Sequence, residues 1–221
     1  PTIIGCSTTS LGGEEMVTDI LGREVSVPAK VDRIVAIGPG ALRLCVYSEL
    51  VDRIVGVEQF EINEAIGRPY RIANPSLADL PVIGQGGPNN APDPEKILTA
   101  TPDVIFTTYA MDSATADELQ SKTGIPVIAI SYSELGFGMT DIFGELVQDS
   151  LLLIGEVTGQ VERTQEVVDF IQQAQQDLDA RTKDIPEADK PTVYVGGLGS
   201  KGTHGIESTQ GQYSLLDAIH A

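Results

Sequence analysis

Four short apolar runs set the strongest limit on what this chain can fold into. They are Arg33-Ile34-Val35-Ala36-Ile37, Arg53-Ile54-Val55-Gly56-Val57, the stretch from Asp103 to Thr108, and the stretch from Ile125 to Ser131. None alternates polar with apolar positions, so each reads as a strand covered on both faces, the habit of parallel sheets with helices on either side. The intervening segments supply those helices. Gly38-Pro39-Gly40 ends the first run before a helical stretch from Ala41 to Leu50. Asp93-Pro94-Glu95 opens another with an acidic cap and a proline in its first turn, and Ser113 to Lys122 forms a third. The pattern predicts an α/β class with a four-stranded parallel sheet and three layers.

On either side of this unit the pattern changes. Val17 to Pro28 alternates around an Asp/Gly turn signal and predicts a small β-hairpin. Glu58 to Asn90 carries repeated glycine and proline, with Leu80-Pro81-Val82-Ile83-Gly84 its one strand-like piece. The remainder is a long loop of the kind that often carries function.

From Asp141 to Lys183 the period becomes helical, with Ile142, Leu146, Leu153, Val157, Val161, Val168, Ile171 and Leu178 on the apolar positions. A continuous helix there would run about 65 Å, at roughly 1.5 Å per residue, too long for one small lobe. Gly155 and Gly159 predict a break, leaving helices of about 16 and 24 residues. Thr192-Val193-Tyr194-Val195-Gly196 then returns to strand. The expected organisation is a tether over 1–16, a first α/β lobe over 17–139, a long connecting helix over 140–185 with its break near 155–159, and the start of a second α/β lobe over 186–221. That second lobe is expected to be incomplete, since roughly 30 residues cannot close a core.

Charge narrows the partners. Fourteen Lys plus Arg stand against 32 Asp plus Glu, a net charge of -18, which repels nucleic acid and anionic head groups. An anionic ligand therefore needs a local basic cluster. No stretch is apolar for long enough to span a bilayer. Of the two cysteines, Cys45 sits in an apolar run and reads as a buried structural thiol, with no disulfide to Cys6 expected. Cys6 follows Ile3-Ile4-Gly5, similar to the cleavage box of a lipoprotein signal. The polar, glycine-bearing stretch after it suits a tether, so Cys6 is the expected lipid-anchor position, the chain's only link to a membrane.

Catalysis finds little support. Gly38-Pro39-Gly40 lacks dinucleotide-binding spacing, and neither a P-loop nor a nucleophile elbow occurs. The two histidines, His204 and His220, have no histidine close by in sequence, so no metal site and no cofactor are expected.

Three segments carry a family resemblance: Val31-Asp32-Arg33-Ile34-Val35 after the Asp19-Ile20-Leu21-Gly22-Arg23-Glu24-Val25 hairpin, Leu80-Pro81-Val82-Ile83-Gly84, and Asp93-Pro94-Glu95-Lys96-Ile97-Leu98 leading to Thr101-Pro102-Asp103-Val104-Ile105. Together they resemble the solute-binding proteins of ABC importers for iron-siderophore, haem and cobalamin, whose two lobes are joined by one helix. The stretch from Gly196 to Ser208 is more similar to the iron-chelate branch. The resemblance implies a monomeric, extracytoplasmic carrier that hands an iron chelate or related metal complex to a permease and its ATPase subunits. Cobalamin or haem is the alternative cargo, and a metal- or nucleotide-dependent α/β enzyme the alternative class.

It also implies a ligand held between the lobes by loops at the carboxyl ends of strands, as is general for open α/β sheets. The expected ligand contacts are Pro39, Arg68, Tyr70, Arg71, Gly86, Gly87, Tyr109, Met111, Lys201 and His204. Arg68, Arg71, Lys201 and His204 would supply the basic cluster, and Tyr70, Tyr109 and Met111 flat or polarisable surface. Against this, the arginines could be solvent-facing and Tyr109 a cap on the core. Glu95 matches the family's carboxylate that meets the permease, although it could equally serve only the start of its own helix.

Overall fold

The computed structural model describes residues 13–63, 67–87, 90–110, 112–132, 144–197, 205–209 and 213–220. The expected hairpin is β1 (Glu14–Thr18) against β2 (Glu24–Pro28), antiparallel, with Val17 facing Val25. Its turn is anchored by charge. Asp19 accepts backbone N–H groups of Leu21 and Arg23 within the turn and that of Ala129 outside it. Arg23 in turn donates to Asp19, Asp117 and the Val127 carbonyl. The hairpin is thus fastened to the far edge of the main sheet.

That sheet is the expected one: β3 (Ile34–Ile37), β4 (Ile54–Gly56), β5 (Val104–Thr107) and β6 (Val127–Ala129), all parallel, in the order β4-β3-β5-β6. Alternate side chains leave its two faces into two separate cores. Ile34, Ala36, Val104, Phe106 and Ile128 join α1 (Ala41–Tyr47) and the helices of the 144–182 region on one side. Val35, Ile37, Ile105 and Val127 join α4 (Pro94–Ala100) and α5 (Ser113–Thr123) on the other. Burial on both faces is why these strands are apolar throughout. Two short helices, α2 (Gln59–Asn63) and α3 (Pro69–Ala73), punctuate the loop after β4.

Helix ends follow the capping signals. Asp93 accepts from the Lys96 amide ahead of α4, with Pro94 in the first turn. Asp112 does the same for Thr115 at the start of α5, and hydrogen bonds from the Thr115 amide, then its hydroxyl, and from the Ala114 amide hold its carboxyl below the usual range.

Three expectations change. Leu80–Gly84 forms a single parallel bridge, Val57 to Val82, rather than a strand; Pro81 has no N–H to extend the ladder. The expected break leaves two helices, α6 (Glu145–Thr158) and α7 (Val161–Thr182), but they form a hairpin in place of one long connecting element. Gly159, at φ 72°, turns the chain back, and Gly155 leaves space only for Thr164 of the returning helix. Further along, Gln172 donates to Gln148. Thr192–Gly196 belongs to no sheet among the described residues, where no neighbouring strand offers it a ladder. A last short helix, α8 (Ser214–Asp217), follows, and His220 just beyond it pairs with Asp179 of α7 at 2.9 Å.

Candidate functional site

Strand order places the functional edge. β3 is followed across the sheet to β4 on one side and to β5 on the other, the switch in strand order outside whose carboxyl ends open α/β sheets take their ligands. Gly38-Pro39-Gly40 leaves β3 there, Thr108-Tyr109 leaves β5, and Ser131-Tyr132 lies beyond β6. The loops are in direct contact. Thr108 Oγ1 donates to the Pro39 carbonyl at 2.8 Å. A Cβ on Gly38 would lie 2.8 Å from the Tyr109 amide nitrogen, and one on Gly40 2.7 Å from the Tyr132 Cβ. The glycines let the two backbones close to this distance. Pro39, Tyr109 and Tyr132 remain half-buried on the edge they form.

The segment after β4 completes the wall. The Gln59 and Phe60 amides donate to the Gly84 and Gln85 carbonyls, at 2.9 and 3.0 Å, which lays 84–87 along the start of α2. Gly86 and Gly87, both with positive φ, pack on Glu58 and on the Phe60 ring.

At the centre of these loops is a residue that the sequence reading passed over. Glu58, 6% exposed, accepts the Gly38 amide through Oε2 at 3.0 Å. Burial pushes its carboxyl from an ordinary 4.5 to about 7, the Gly38 hydrogen bond opposing and the nearby Glu61 charge adding to the rise. The signal available in the sequence was its position, a lone acid directly after an apolar strand at the carboxyl edge.

The expected basic cluster is redirected. Arg71 is 3% exposed and donates to the Glu61 and Asn74 carbonyls. Tyr70 is buried, with its hydroxyl on Glu61 Oε2 at 2.8 Å, and burial drives its ionisation above the ordinary tyrosine range. Arg68 stacks 4.2 Å from the Phe60 ring centroid, donates to the Phe60 carbonyl, and stands 3.8 Å from Glu61. The three therefore tie α2 to α3, Tyr70 and Arg68 at the Glu61 carboxylate and Arg71 at the Glu61 main-chain carbonyl. The Tyr70 hydroxyl and the Arg71 Nε and Nη1 groups, expected as ligand contacts, are thus engaged within the fold.

Glu95 is exposed in the first turn of α4, beside a shallow depression of about 580 Å³ bordered by Ala91, Pro92 and Lys122. Met111, Lys201, His204 and Cys6 lie outside the described residues. Cys45 is fully buried on α1, and burial pushes its thiol up to about 12. Among the described residues no group of His, Cys, Asp and Glu could hold a metal ion, and no helix is long and apolar enough to cross a membrane.

The model of the periplasmic binding protein family matches residues 34–218. The chain belongs to this family. As a periplasmic binding protein it is similar to the molybdate-binding protein MolA of Haemophilus influenzae, at 26% identity over 234 residues that take in 99% of this chain and 64% of MolA. It thus spans under two thirds of that relative's length. The solved structure of MolA bound to molybdate superposes with a TM-score of 0.62 at 25% identity, covering 79% of this chain and 56% of MolA. A periplasmic solute binding protein from Veillonella parvula gives 0.63 at 18% identity, over 79% and 50% of the two chains, and shares the fold.

Proposed function

We propose that this periplasmic binding protein is the cargo-capturing subunit of an ABC importer, working outside the cytoplasm, and that its cargo is a small oxyanion of the molybdate type. One observation carries the reading. Beside the Tyr109 and Tyr132 rings, the edge is built from backbone and small residues, Gly38-Pro39-Gly40, Thr108 and Gly86-Gly87, while two of the large polar side chains expected to clamp a bulky chelate are spent on the fold. A wall of closely approached backbone suits an anion a few ångströms across. The molybdate ligand of MolA supports the same class. In this reading 17–139 form the first lobe, α7 leads toward the second, and Lys201 and His204 supply cations from the second side. Cys6 would be the lipid anchor.

An iron chelate is the second reading. It is favoured by Tyr109 and Tyr132, whose half-buried rings offer flat surface at the same edge.

Titration calorimetry with molybdate, sulfate, a ferric siderophore and haem separates the two. Molybdate binding tighter than about 10 μM, roughly -7 kcal/mol, is expected. Binding of the ferric siderophore alone would move the assignment to the second reading, and binding of none would reject the importer role. Glu95 is proposed as the permease contact. Glu95→Ala should leave molybdate affinity unchanged and reduce stimulation of the permease-coupled ATPase by about 10-fold, the loss of a charge pair at an interface. Equal stimulation would reduce Glu95 to a helix-start charge.

A further inference from the structure

Glu58 is an acid enclosed by the loops at the carboxyl edge. Its oxygen occupies the Gly38 amide at the end of β3, Gly86 packs so closely that a Cβ there would be 2.5 Å from the Glu58 Cβ, and residues 59 and 60 zip onto 84 and 85 immediately beyond it. The carboxylate therefore sits as an internal anion in the backbone wall assigned above to an external one. Two anions cannot share that wall in a weakly polarisable setting, because their repulsion grows as water is excluded.

We propose that Glu58 is a proton-coupled positioning residue for cargo: the oxyanion binds with uptake of one proton from solvent onto the Glu58 carboxylate, which becomes a neutral carboxyl still accepting from Gly38. This deepens the oxyanion reading and rests on it. The groups facing Glu58 fit the exchange. The β3 loop presents the Gly38 amide, the 84–87 loop the Gly86 backbone, and α2 presents Glu61, whose charge favours the protonated form. Glu61 is itself held by the Tyr70 hydroxyl, with Arg68 at 3.8 Å, so it remains a fixed neighbour while Glu58 changes state.

The test uses molybdate as the probe, because it stays a dianion across the range measured and its own titration does not intrude. Affinity should weaken by about 30-fold between pH 6 and pH 8.5, as a requirement for the protonated form of a group titrating near 7 dictates. Glu58→Gln, which keeps an acceptor for Gly38 but cannot ionise, should bind with nearly the same affinity at both pH values. Calorimetry of the unmodified protein at pH 8 in two buffers of different ionisation enthalpy should report uptake of close to one proton per molybdate bound, a readout that stands even if the variant fails to fold. Binding without proton uptake, or an identical pH profile in the variant, overturns the coupling and leaves the oxyanion reading standing. To separate the remaining case, the Glu58 carboxyl resonance is followed by NMR in ligand-free protein. If no molybdate binds and the carboxyl titrates near 4.5, both the coupling and the reading fall. If none binds while it titrates near 7, Glu58 is a buried acid without a cargo role, which again ends the proposal.

Discussion

Single side chains divide here between those that shape the crevice and those that brace it. Glu58 belongs to both groups and carries a stability cost that depends on pH. Its carboxyl titrates at about 7 when folded, against 4.5 ordinarily, so the folded state holds the proton longer than the unfolded one. Stability consequently falls as pH rises from about 4.5 through 7, by up to roughly 3 kcal/mol, and is lowest above that window. Glu58→Gln should raise the melting temperature at pH 8 and leave it unchanged at pH 4.5, as checked by thermal unfolding followed by circular dichroism. Arg71 should behave in the opposite way to a ligand clamp. Arg71→Ala strips donors from two carbonyls in a buried loop and should cost about 2–4 kcal/mol in urea unfolding. Arg68→Ala, which loses a partly exposed stacking and ion-pair contact, should cost about 1 kcal/mol.

Elements are joined by close backbone approach as much as by side chains. The α6–α7 hairpin depends on Gly155, where an added Cβ would collide with Thr164 Oγ1. Gly155→Ala should destabilise by about 1–3 kcal/mol, because α7 must move outward along its whole packed length. Adding Thr164→Ala should recover about half of that loss, and a double-mutant cycle of chemical unfolding measures the coupling directly. Additive effects would mean that the two helices meet elsewhere. Existence of the sheet strands was legible from their unbroken apolar character, and so was the presence of a break in the helical stretch. The reversal of direction was not, since a glycine in a helical pattern signals a weak point without saying what the next helix packs against. Likewise Leu80–Gly84 reads as a strand locally, yet Pro81 limits it to one bridge with Val57.

At the scale of the molecule, charge and cargo oppose each other. A net charge of -18 surrounds a site proposed for an anion, so encounter is slowed by long-range repulsion that salt screens. Stopped-flow association of molybdate should accelerate several-fold between about 20 and 300 mM salt, the reverse of an attractive funnel. An unchanged rate would show that local cations at the crevice mouth dominate the field. α7, at 22 residues, extends about 33 Å as a single rigid element, which favours a small hinge angle between whatever it joins.

The amino-acid order alone determined the α/β class, the four buried strands and the carboxyl edge where loops would meet, because burial on both faces demands apolar residues at every position and glycine demands little room. It also carried the family likeness in short segments such as Asp93-Pro94-Glu95. What it left open was direction. Whether Arg71 and Tyr70 faced a ligand or the core depended on where the Glu61 carboxylate and its neighbouring carbonyls came to rest, and no local pattern encodes that. Glu58 became visible as a buried acid only when β3, the loop after β4 and Gly86 converged on it. Desolvation is a property of the enclosing neighbours, and two of them, Gly38 and Gly86, are 20 or more residues away along the chain.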